Sequence, residues 1–126
     1  MWSLMASPLI FSGDMNYLDE FTLNVLCNAE VIEVDQDPLG RQARIVRHTD
    51  SDFVLAKPME DGSLAVGVFN IGEKPNQIRV TWAELGLSGE RRLRDVWRQK
   101  DIGQISDQLN VLVASHGVSL VRLFQQ

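Results

Sequence analysis

The side chains that could do chemistry in this chain are few and scattered. Asp14 closes an apolar run at Ser12-Gly13-Asp14, and Asp35 and Asp37 stand two apart just before Pro38-Leu39-Gly40. Paired carboxylates are what general acid/base catalysis or a hard cation requires. Asp35 and Asp37, however, flank a turn of the kind in which aspartate bonds to its own backbone. They are expected to end a helix and link two domains. Asp14, or Asn16, is expected to cap the helix that follows. His48 and His116 lie far apart without a ligand partner, and His116, in a Ser-His-Gly turn, is read as solvated. Cys27 is the single cysteine, which excludes an internal disulfide, a CxxC redox pair and a cysteine zinc site. At the apolar end of a helix it reads as a small buried hydrophobe. Glu90-Arg91-Arg92 with Arg94 reads as a solvated strand face. These residue types call for no cofactor and no metal.

The elements that must position them change character near residue 40. Ala6 to Phe11 is apolar on both faces, the signature of a strand buried in a parallel sheet. Tyr17, Leu18, Phe21, Val25 and Leu26 then fall on one helical stripe, with Asp19 and Glu20 in its first turn. Asn28 is placed to cap a second short helix running through Val34 and ended by Asp37-Pro38-Leu39-Gly40. From residue 41 the period becomes two. Strands are predicted at 42–48, 52–58, 64–69, 77–82, 91–97, 109–114 and 118–124, with turn residues between them. That pattern predicts a mainly β chain, an antiparallel Greek-key β-sandwich over residues 41–126. Trp82 and Trp97 fall on apolar strand faces and are expected in its core.

Bulk properties narrow the function classes. The chain has 126 residues, 44% hydrophobic and 23% charged, and a net charge of −5 with no basic stripe. This is the profile of a globular domain without a nucleic-acid footprint. The apolar start, MWSLMASPLIF, is too short to span a bilayer and lacks a basic lead-in, so no membrane is expected. A chain that opens directly on so apolar a segment reads as cut from something longer.

Three segments, in order, resemble glycoside hydrolase family 27, the α-galactosidases or melibiases. Trp2-Ser3-Leu4-Met5-Ala6-Ser7-Pro8-Leu9-Ile10, followed by Ser12-Gly13-Asp14-Met15, is similar to the end of that family's seventh barrel helix and its eighth barrel strand. Asn28, Glu30-Val31-Ile32 and Asp35-Gln36-Asp37-Pro38-Leu39-Gly40 resemble the eighth helix and the exit from the barrel. Asp95-Val96-Trp97-Arg98-Gln99-Lys100-Asp101, His116-Gly117-Val118 and Leu120-Val121-Arg122-Leu123 resemble closing strands of the C-terminal antiparallel domain.

The resemblance implies that residues 1–40 are a remnant, strand and helix, of a (β/α)8 barrel, and that residues 41–126 are the C-terminal sandwich. It implies a parent enzyme that cleaves terminal α-linked galactose with retention. Retention needs two carboxyl groups about 5–5.5 Å apart, and the family carries them on barrel strands upstream of Met1. No catalytic residue is therefore assigned, and this fragment is expected to be inactive alone. Asp14 is the one carboxylate placed near the sugar by the resemblance, and its use as a helix cap is the favoured reading. The expected partners are an α-galactoside for the intact enzyme and, for the fragment, the missing barrel portion or a second copy. The alternative is a stand-alone sandwich that binds carbohydrate or protein. Trp2 resembles a helix residue that packs on the barrel, and family members are often secreted, periplasmic or lysosomal.

Overall fold

Past residue 43, short β-prone segments between turns drive an antiparallel β structure: some alternate apolar and polar side chains and solvate one face, while others are apolar throughout and are covered on both. In the computed structural model, which describes residues 1–125, eight strands form: β1 (Arg44–His48), β2 (Asp52–Pro58), β3 (Leu64–Asn70), β4 (Asn76–Thr81), β5 (Arg91–Asp95), β6 (Lys100–Ile105), β7 (Gln108–Val113) and β8 (Val118–Gln125). Six make one sheet in the order β1-β2-β3-β8-β5-β6, and β4 pairs with β7 in a second sheet of two strands. Every pairing is antiparallel. The chain thus leaves the large sheet after β3, lays β4 opposite it, and returns to place β8 between β3 and β5.

Val54, Ala56, Val66, Val68, Val121 and Leu123 on one face of the large sheet pack with Ile78, Val80, Leu109 and Val113 of the small one. Each such side chain contributes roughly 1.5–3 kcal/mol by leaving water. The residues between them, Leu55, Ala65 and Leu120, point to the opposite face and meet Leu4, Val31 and Val34 from the amino-terminal segment. Gly67 makes this approach possible: a Cβ there would collide with Leu4 Cδ1. The amino-terminal segment therefore adds a third layer, built from a 3-10 turn at Trp2–Met5 and two helices, α1 (Glu20–Leu26) and α2 (Ala29–Asp35). Ala43 N donates to Leu4 O at 2.7 Å, joining the two ends of that layer.

Several expectations need correction. Ala6 to Phe11 is not a strand: it has no regular structure, and Leu9, Ile10 and Phe11 are exposed. A strand is defined by its neighbours, and none lies beside this run. The helix expected from Tyr17 begins only at Glu20, because Asp19 rather than Asn16 caps it by accepting from Thr22 N at 2.7 Å. A strand at 100–105 was not expected, and Trp82 opens a short helix, α3 (Trp82–Leu85), instead of ending β4. Asn28 caps α2 as expected, and the turn after it closes with Gly40 N donating to Asp37 O. Among the described residues no helix is long and apolar enough to cross a membrane.

Candidate functional site

Helix α2 sits where side chains from four parts of the sandwich converge, and polar groups fix it there. The Asn28 carboxamide is buried and fully used. Its Oδ1 accepts from Glu30 N and Val31 N, each at 3.1 Å, and its Nδ2 donates to Val96 O and Trp97 O in the turn after β5. Gln99 Nε2 donates to the same Oδ1 at 3.2 Å. At the other end of α2, Lys57 of β2 lies at 0% exposure. Its Nζ donates to Val34 O and Asp35 O, the free carbonyls of the helix end, and to Ser3 O of the first turn. A cation among helix C-terminal carbonyls is stabilised by the helix dipole. Burial nevertheless pushes the Lys57 ammonium below its ordinary pKa, with Asp37 and Asp35 acting in the opposite direction.

Two arginines complete the attachment. Arg94 of β5 grips Glu30 with Nη2 and Nε at 2.5 and 2.9 Å. Arg122 of β8 is buried, and it donates to Ser63 Oγ at 2.7 Å, Glu33 Oε1 at 2.7 Å and Asp61 Oδ2 at 2.9 Å. Fork-shaped guanidinium pairs of this kind fix orientation as well as distance. Asp37 adds a fifth tie by accepting from Leu39 N and, across the chain, from Glu60 N at 2.9 Å.

The side of the amino-terminal layer turned away from the sheet is different. Trp2, Leu9, Ile10, Phe11, Met15, Tyr17, Phe21 and Val25 are all exposed, and several of them line an apolar concavity with Trp97. Contiguous apolar surface on this scale marks an interaction site.

The remaining sequence candidates do not converge. Asp14 is exposed and caps the Met15–Tyr17 turn by accepting from Asn16 N at 2.9 Å. Asp35 and Asp37 do not form a metal site; Asp37 ties the turn, and one Asp35 carboxylate oxygen is buried without a hydrogen-bond partner. Among the described residues no group of three or more His, Cys, Asp or Glu could hold a metal ion. His116 is an exposed turn residue with φ 54°. Cys27 is exposed, not buried, because the apolar helix end on which it sits is itself uncovered. Trp97 is 41% exposed rather than in the core, since β5 ends at Asp95 and the indole lies in the following turn. Trp82 is buried, with Nε1 donating to Gly89 O at 2.8 Å. The arginine cluster is only partly solvated: Arg92 pairs with Asp101 at the surface, while Arg94 is engaged by α2.

Sequence reasoning missed Lys57 and Arg122. Both occupy outward positions of their strands, and the available signal was a lone cation interrupting an otherwise apolar run: Phe53-Val54-Leu55-Ala56-Lys57 and Leu120-Val121-Arg122-Leu123.

Residues 51–123 match a family described as the α-galactosidase C-terminal β-sandwich domain. Over 125 residues the chain is 33% identical to α-galactosidase 2 of Arabidopsis thaliana, covering 98% of this chain and 32% of the plant protein. It superimposes with a TM-score of 0.92 on a family 27 β-L-arabinopyranosidase from Geobacillus stearothermophilus, at 33% identity over 98% of this chain and 28% of the other. The α-galactosidase I of Mortierella vinacea also gives 0.92, at 26% identity over 99% of this chain and 34% of the other. The chain spans about a third of the length of the curated relatives it matches.

Proposed function

This chain belongs to the α-galactosidase C-terminal β-sandwich family, and from that premise we propose that it is the C-terminal part of a retaining family 27 glycoside hydrolase acting on terminal α-galactosyl residues. In this reading residues 1–40 are the end of the catalytic barrel and residues 41–126 the domain that closes and supports it. The catalytic carboxyl pair, about 5–5.5 Å apart in retaining enzymes, belongs to the upstream barrel. Alone, the chain binds no substrate productively and turns none over.

The observation that carries this reading is the uncovered apolar face of residues 2–25. The sandwich satisfies its own core and fixes α2 with polar ties, yet Ile10, Tyr17 and Phe21 are left 74%, 86% and 75% exposed. A free binding module has no use for such a face, and a barrel wall does. The work of Asn28, Lys57, Arg94 and Arg122 is then to hold the last barrel helix against the sandwich. The test is release of a chromogenic leaving group from an aryl α-galactoside by this chain beside an intact relative. No activity above a heat-treated control is expected. Turnover that survives repurification would overturn the assignment and make Asp14, Asp35 and Asp37 the first residues to substitute.

A further inference from the structure

A second concavity adjoins that apolar face and shares Trp97 with it. At one end of the sandwich a groove of about 390 Å³ lies between the turn after β5 and the β7–β8 turn, within the size range of small-molecule sites. Its apolar walls are Trp97, Leu112 and Val118, all exposed side chains. Its polar groups are Asp95, Arg98 and Ser119. The Asp95 carboxylate accepts from Arg98 N at 2.9 Å and from Arg98 Nη1 at 2.7 Å. Arg98 remains 81% exposed, so most of its donors are open to a ligand.

Both walls are built rigidly. Trp97 O accepts from the buried Asn28 carboxamide at 3.1 Å, and Val96 N donates to Leu120 O at 3.2 Å. The opposite turn is closed by Gly117 N donating to Ala114 O at 2.9 Å, and the buried Asn70 side chain donates to Ala114 O at 3.1 Å.

We propose that this groove is a carbohydrate subsite for a single pyranose. An indole face accepts the C–H face of a sugar ring, and the carboxylate–guanidinium pair offers acceptors and donors side by side for vicinal hydroxyls. Ser119 and the open donors of Arg98 favour a polar over a wholly apolar partner. The choice of galactose as the ring rests on the proposed hydrolase function; the subsite itself rests on the groove.

The test is titration of the 15N-labelled chain with galactose and melibiose, followed by amide and indole NMR shifts. Saturable shifts with a Kd of about 1–10 mM are expected. They should centre on the Trp97 indole, Arg98 and Ser119, and leave the Trp2 and Trp82 indoles unmoved. Trp97→Ala should weaken binding at least tenfold. Arg98→Ala, at a site too exposed to endanger folding, should weaken it severalfold. Linear shifts without saturation, equal affinity in both variants, or shifts confined to Trp2, Ile10 and Phe11 would each overturn the subsite. The titration needs no turnover, so failure here leaves the hydrolase assignment standing, and activity in the galactoside assay leaves this groove still to be judged by its own titration.

Discussion

Arg122 shows what a single charge inside an apolar strand accomplishes. Its guanidinium is buried on the outer face of the large sheet, where Asp61, Ser63 and Glu33 surround it. For Asp61, burial pushes the carboxyl pKa up, but hydrogen bonds from Ser63 and the Arg122 charge outweigh it and hold the group below its ordinary value. Because the folded pKa lies below the unfolded one, the native state binds fewer protons in acid. The stabilisation is therefore complete above about pH 4 and is lost as pH falls through the folded value. Thermal melts followed by circular dichroism should show the transition temperature falling between about pH 4.5 and pH 3. Asp61→Asn should cost about 1 kcal/mol at neutral pH, given the partial exposure of the carboxylate, and flatten that acid slope. An unchanged slope would remove Asp61 from the acid response. Cys27 and Trp97 mark what was illegible at this scale. Both were expected to be buried, and residue type alone does not report that the turn and the helix end on which they sit stay exposed.

At the scale of elements, α2 is seven residues long, too short to persist by helix propensity. Its order comes from Asn28, Lys57, Arg94 and Arg122 and from Val31 and Val34 against the sheet. Hydrogen exchange should therefore divide the amino-terminal segment. Amides of residues 32–35 are expected to be protected with the sandwich core, while residues 6–25 exchange orders of magnitude faster. Lys57→Met leaves the carbonyls of Ser3, Val34 and Asp35 without their donor, a loss of about 1–3 kcal/mol, and should raise exchange in α2 about 5- to 150-fold. Equal protection in the variant would show that apolar contacts alone hold the helix. The sandwich itself was readable, because turn residues bound the β-prone runs of β2, β3, β4 and β8, and alternation in β4 states its face as well. β6 was not: Lys-Asp-Ile-Gly-Gln-Ile is an exposed edge strand whose existence depends on pairing with β5, not on its own pattern. α3 carried a usable signal in Thr81 and Glu84, a capping box followed by left-handed Gly86, but its single turn is hidden in the apolar alternation of β4.

Taken as a whole molecule, the chain is three layers with one side left open. Leu4, Val31 and Val34 fold back onto the sandwich, so part of the apolar amino terminus is covered from within. Ile10, Phe11, Tyr17 and Phe21 are not covered. Each large apolar side chain left in water forgoes roughly 1.5–3 kcal/mol, so a few of them together supply a driving force for association. Charge opposes this only weakly: at −5 over 126 residues, repulsion between copies is screened beyond about 8 Å at physiological salt. Light scattering of the isolated chain should therefore show mass rising with concentration, and Ile10→Ser with Phe21→Ser should return it to a monomer while leaving the melting transition within a few degrees. Those two positions touch neither sheet core nor the α2 ties, so a loss of association would come from the face itself. A wild-type chain that stays monomeric at high concentration would mean that residues 6–25 close over their own apolar side chains in solution, and the open side would then be no docking face at all.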